Sequence, residues 1–239
     1  MALFTDGLPA AVEDLTALDS QLLSVASTEG IDVTQKLALA QQEIRAWLDE
    51  LPAPAGCVVV TASLRLWHSY KALELVYADA YNSQLNDRYA AKREQFRKMA
   101  RTAREQLMSV GIGITVRPIP RAQSPVLSEA AGSLPDATYY VAASWVNEAG
   151  EEGECSVESS IATVSSTFRA ELVRVPPGAV GWNLYAGGDP GAMRLQNDAP
   201  IAPGAAWLQS RPVSGSGPSA AGGQRPNYFQ PAPRRIRRG

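Results

Sequence analysis

Histidine occurs once in the 239 residues and cysteine twice, and that scarcity excludes most of the chemistry these side chains carry. His68 stands between Trp67 and Ser69, with Lys71 and Ala72 rather than an acid at i+3 and i+4. That setting points to a packed or interfacial imidazole, not to a general base or a metal ligand. Cys57 and Cys155 have no second Cys or His at metal-ligand spacing, so both read as buried reduced thiols and no zinc site is expected. Met1-Ala2-Leu3-Phe4 lacks the basic and apolar regions of a signal peptide. The valine run Val58-Val59-Val60 is far too short to span a bilayer. A chain made in the cytoplasm, with no membrane partner, is the expectation.

Other motifs fall short in the same way. Gly187-Gly188-Asp189-Pro190-Gly191 is not followed by a helix opening on Lys-Ser or Lys-Thr, which a phosphate cradle needs. The acidic run Glu148, Glu151, Glu152, Glu154 lacks the spaced aspartates of a cation loop and reads as a solvated turn. No catalytic constellation emerges, so neither an enzyme nor a cofactor is expected.

What is present is ordinary globular composition, 45% hydrophobic and 19% charged, in a chain long enough for two modest domains. The net charge of −2 conceals segregation. Residues 1–60 carry two cations against nine acids, and residues 61–120 carry ten against five. Residues 121–180 carry three against eight, and residues 181–239 seven against two. Alternating blocks suit complementary contacts with partners or with copies of the same chain, or else simply solvated faces that cluster by sign.

The first half is helical by pattern. Leu15, Leu18, Leu22 and Val25 form one amphipathic stripe that Gly30 stops. Asp32 caps a second helix carrying Leu37, Ala40, Ile44, Trp47 and Leu51, with Gln35 completing a capping-box pattern and Pro52 and Pro54 ending it. Thr61 caps a third helix, and Asn82, Ser83, Asn86 and Asp87 mark a break after it. From Asp87 to Val110, Tyr89, Phe96, Ala100, Ala103 and Leu107 repeat in helical rhythm up to Gly111. A helix of that length, roughly 35 Å, is usually one stave of a bundle or ring. Beside its apolar stripe run Arg93, Arg97, Arg101 and Arg104. Such a row suits the acidic first helices of a neighbouring subunit, DNA phosphates, or plain solvent.

The pattern then changes. Residues 115–136, with Pro118, Pro120, Pro125 and Pro135, read as a Pro-rich linker. Residues 137–212 supply aromatic and branched runs set off by turn residues: Thr138 to Asn147, a hairpin return over Glu154 to Ser159, Phe168 to Leu172, Trp182 to Tyr185, Met193 to Gln196 and Ala206 to Gln209. These predict a small antiparallel β-sandwich. Residues 213–239 form an extended basic tail in which Tyr228, Phe229, Arg234, Arg235, Arg237 and Arg238 could dock on a partner surface. The expected fold class is therefore α+β, with a helical bundle of about four helices in residues 1–114 ahead of the sandwich.

Two stretches resemble one family. Leu22 to Asp32 with Lys36, Leu37 and Gln41, and Tyr81 to Tyr89 running on to Gly111-Ile112-Gly113-Ile114 and Pro118 to Ala122, are similar to head-to-tail connector (neck adaptor) proteins of tailed bacteriophages. The stretch from Ala137 to Tyr185 resembles the fibronectin-III-like or immunoglobulin-like modules often appended to virion proteins. The resemblance implies a structural protein of the virion neck that forms a ring, commonly of twelve copies. That ring would dock beneath the portal, receive tail or nozzle proteins and let double-stranded DNA pass without sequence readout. The alternative is a virion-associated module whose sandwich binds host glycan, with Trp182, Tyr185 and Trp207 as stacking platforms.

Overall fold

The computed structural model describes residues 1–84 and 87–231, and its fold is α+β: five helices in the N-terminal half, then antiparallel sheets. Two compact units emerge, and they are not simple halves of the chain. One consists of Met1–Asp6 and Val116–Arg225, the other of Gly7–Thr115 with the chain from Pro226 onward.

The helical unit contains α1 (Val12–Leu18), α2 (Leu22–Glu29), α3 (Val33–Leu48), α4 (Ala62–Gln84) and α5 (Ala90–Val110). The stripe expected as one first helix is two, because Asp19 leaves helical backbone with φ −145°. Gly30 ends α2 at φ +67°, a conformation only glycine adopts without strain. Asp32 caps α3 by accepting from the N–H groups of Thr34 and Gln35 at 2.8 and 3.1 Å. The Thr61 hydroxyl accepts from Leu64 N–H at 3.4 Å at the start of α4. The break near Asn82 comes slightly later than the polar cluster suggests: α4 runs to Gln84, and a single 3-10 turn, Asp87–Tyr89, leads into α5. That short link folds α4 and α5 into a hairpin.

Small residues let these helices approach. Ala40, Ala72 and Ala80 are fully buried among Leu15, Leu22, Leu37, Leu73, Val76 and Phe96. Tyr77 stacks on Phe96 with centroids 5.4 Å apart. Each large apolar side chain removed from water here contributes about 1.5–3 kcal/mol. Beyond α5, β1 (Ile112–Ile114) bridges to Val58 and pairs antiparallel with β9 (Tyr228–Gln230).

The sandwich unit has a three-stranded sheet, β2 (Val126–Ala130), β5 (Thr167–Glu171) and β8 (Trp207–Leu208), with β5 central. Its four-stranded sheet runs in the order β4 (Ser159–Thr163), β3 (Ala137–Asn147), β6 (Ala179–Gly187), β7 (Arg194–Leu195). Val141, Ala143 and Trp145 of β3, Trp182, Leu184 and Ala186 of β6, and Phe168 and Ala170 of β5 share one core. The opposite face of the larger sheet is covered too: Ala142 and Tyr185 pack with Cys155, Met193, Ala220 and Ala221. Burial on both faces explains why Val141 to Val146 reads as an apolar run broken only by Ser144 rather than as an alternation.

Three boundaries depart from the sequence reading. Residues 115–136 are not a linker: β2 pairs with β5, and Ile119 and Ala122 are 0% and 4% exposed in the sandwich core. Proline-rich composition is shared by linkers and by edge-strand entries, so it does not separate them. The sandwich accordingly extends well outside residues 137–212. Residues 213–225 lie along it, with Leu195 N–H donating to the Pro218 carbonyl at 3.0 Å and Cys155 N–H to the Ala221 carbonyl at 3.3 Å. Finally, Met1–Asp6 belongs to the sandwich unit, and Leu3 and Phe4 are buried.

Candidate interaction surface

The arginine row on α5 divides by environment. Arg93 lies over the Tyr81 ring at 4.9 Å, and Arg104 over the rings of Trp47 and Trp67 at 5.4 and 5.9 Å. Those two indoles meet edge to face, centroids 5.2 Å apart. Arg97 and Arg101 point outward, with side chains 64% and 82% exposed. Each has an acid on its own helix: Glu94 sits 3.9 Å from Arg97 and Glu105 3.1 Å from Arg101. Exposed pairs of this kind contribute little to stability, so both cations stay accessible to a polyanion or an acidic protein face. Arg97, Arg101 and Arg104 line one side of an open groove of about 610 Å3 whose floor includes Ile44, Trp47 and Trp67. Lys71 in the groove is held by Glu43 at 2.9 Å and Glu74 at 3.2 Å. Burial lowers its pKa, and the two carboxylates more than reverse this, so it rests above the usual lysine value.

The tail contributes differently than its composition suggests. Tyr228 and Phe229 lie in β9, each 48% exposed, so this part is an ordered strand. Arg234, Arg235, Arg237 and Arg238 lie outside the described residues.

The remaining candidates resolve into structure. His68 is 0% exposed, with Nε2 3.0 Å from the Leu37 carbonyl. Burial holds its pKa down at about 4, against the Leu37 bond and the charge of Asp14. Within the acidic run Glu148 stays exposed, while Glu151 and Glu152 are half-buried and hydrogen-bonded. Glu152 accepts from Ser144 and Tyr185, both at 2.6 Å. Glu151 accepts from Asn147 at 2.9 Å and from Gln224 at 2.8 Å. Burial, then the bond to Glu152, pushes the Tyr185 hydroxyl above its usual pKa. Burial likewise pushes the Cys155 thiol up to about 12, and both cysteines are free thiols. Among the described residues no group of three or more His, Cys, Asp or Glu could hold a metal, and no helix is long and apolar enough to cross a membrane. Trp182 and Tyr185 are 0% and 1% exposed, so neither can serve as a glycan-stacking platform, and only Trp207 of that trio reaches the surface.

One arrangement has no sequence signal. Asp19 at the end of α1 accepts from the Tyr77 hydroxyl of α4 and from Lys92 of α5 at 3.0 Å. Lys92 also lies over the Tyr77 and Phe96 rings at 5.7 and 5.4 Å. Residues 58 and 73 positions apart in the chain meet there. Comparison with family models, with curated proteins and with solved structures finds no match for this chain.

Proposed function

We propose that this chain is a non-catalytic adaptor of the neck of a tailed phage particle. It would be present as a ring of copies, twelve by analogy with the connectors it resembles, between portal and tail proteins. The observation that carries this reading is where the two connector-like stretches fall. Glu29, in the first stretch, accepts hydrogen bonds from Ser83 and Tyr89 of the second, both at 2.9 Å. Those parts of the two stretches therefore meet within the helical unit, while Pro118–Ala122 falls in the sandwich unit. The α5 face adds support: Arg97 and Arg101 stand free of the core, as they would to meet an acidic neighbouring subunit or DNA in passage without sequence readout.

The test is assembly. Mass photometry of the full chain with and without portal protein is expected to show a ring, or a monomer that joins portal. Imaging of the native particle is expected to place the protein at the head–tail junction. A chain that stays monomeric in the presence of portal and is absent from the neck would end this reading.

A further inference from the structure

Residues of the 195–198 and 207–218 segments line a pocket of about 530 Å3 that lies wholly within the sandwich unit. Three amide side chains in its walls are committed to bonds inside the protein. Gln196 donates to the Arg194 carbonyl at 2.7 Å and accepts from Ser214 N–H at 2.9 Å, which ties the 214 segment to β7. Asn197, 4% exposed, accepts from Leu184 N–H and donates to the Asn183 side chain, both at 2.8 Å. Gln209 is buried as well, accepting from the Trp207 indole N–H at 2.8 Å and donating to the Arg211 carbonyl at 2.9 Å. One buried amide thus sets both the Trp207 ring and the Arg211 backbone. Trp207 packs against the sandwich core and stays partly exposed where it lines the pocket.

Two side chains of that lining are uncommitted. Asp198 and Arg211 are exposed, and neither side chain takes part in an ion pair or a hydrogen bond among the described residues. They are the charged groups of the lining, one of each sign, so the pocket carries no net charge. An anion would meet the carboxylate of Asp198, and a cation the guanidinium of Arg211. A wholly apolar ligand would strip water from both charges and replace none of their hydrogen bonds. What fits is a neutral molecule with hydroxyls along its rim and an apolar face, which is the chemistry of a pyranose ring. Its hydroxyls can donate to a carboxylate and accept from a guanidinium, and its C–H face can lie on the indole. Hydrogen bonds to charged groups are about twice as strong as neutral ones, and walls already fixed lower the ordering cost of binding. We propose that this pocket binds a neutral saccharide, with Trp207 as the stacking surface, Asp198 as acceptor and Arg211 as donor to its hydroxyls. This inference stands on the sandwich pocket and does not depend on the neck reading.

The probes are maltotriose, cellotriose and triacetylchitotriose, each titrated into the full chain and followed by NMR. At least one is expected to bind at or below about 10 mM. The indole N–H resonance of Trp207 should shift on binding, while that of the buried Trp182 stays in place. Replacing Trp207 could also loosen the core it packs against, so the substitutions are made at the two exposed side chains. Arg211→Ala and Asp198→Ala are each expected to weaken binding about tenfold while the urea midpoint holds. Trigalacturonate, of similar size but with three carboxylates, is expected to bind at least about tenfold more weakly than the neutral trimer, because Asp198 repels it. No binding of any neutral trimer, an unmoved Trp207 resonance, unchanged affinity in either variant, or a preference for trigalacturonate would each overturn the proposal.

Discussion

The Tyr77 hydroxyl donates to the carboxylate of Asp19, a residue 4% exposed, and so ties the end of α1 to the middle of α4. Burial by itself would raise the pKa of Asp19. The bonds from Tyr77, Lys92 and Gln21 N–H outweigh it and hold the carboxyl below its usual value. Tyr77→Phe removes one donor from a buried charge and is expected to cost about 1.5–3 kcal/mol, read as a lower urea midpoint of the helical unit. A group whose folded pKa is depressed lends stability above its unfolded pKa and loses it as pH falls through the folded value. The acid limb of the wild-type stability profile should therefore flatten in Asp19→Asn. An Asp19→Asn profile that matches wild type below pH ~4 would show that the pairing carries no linkage.

His68 acts in a separate window. Its neutral ring donates from Nε2 to Leu37, while Nδ1 is buried without a partner. With a folded pKa near 4 against an ordinary 6.5, the unfolded chain binds a proton that the folded chain refuses between those values. Stability is thus expected to be full above pH 6.5 and to fall progressively toward pH 4, by up to about 3 kcal/mol. His68→Gln keeps a donor for Leu37 but cannot titrate, so denaturation series at pH 7 and pH 5 should converge for the variant and separate for wild type.

Local periodicity accounts for what was readable in the chain. The caps at Asp32 and Thr61, the stop at Gly30 and the Phe96-Ala100-Ala103-Leu107 stripe each depend on neighbours within a turn or two, and each stands where the pattern puts it. Trp182 alternates with Leu184 into the core for the same reason. The interruption at Asp19 was hidden because its cause, a tyrosine on α4 and a lysine on α5, lies far along the chain. The tail escaped for a related reason: its contacts are backbone bonds to segments far along the chain, which composition does not record. Of the surface candidates, the row of four arginines was visible as a row. Its division into two ring-stacked and two outward cations required knowing where Tyr81, Trp47 and Trp67 stand.

That division can be measured. Arg104 covers two indoles, so Arg104→Ala is expected to lower stability by about 0.5–1 kcal/mol and to perturb tryptophan emission. Arg101 makes only an exposed ion pair with Glu105, so Arg101→Ala should lie within about 0.5 kcal/mol of wild type. Equal losses from the two substitutions would contradict the separation into stacked and free cations.

Gly153 tests whether residues 119–120 belong to the sandwich. A Cβ at Gly153 would stand 2.7 Å from the Pro120 carbonyl oxygen and 2.9 Å from that of Ile119, both backbone atoms with little freedom to retreat. Gly153 N–H also donates to the Trp145 carbonyl at 2.9 Å, so the site cannot shift without breaking a bond to β3. Gly153→Ala is therefore expected to cost about 1–3 kcal/mol, the range of an overpacked interior. Gly188→Ala is the control: a Cβ there meets nothing within 4 Å, and its change should stay within about 0.5 kcal/mol. Were residues 115–136 a free tether, the 119–120 backbone would simply move aside and the two variants would unfold at the same denaturant concentration. A lower midpoint for Gly153→Ala alone is the signature of a segment fixed in the sandwich.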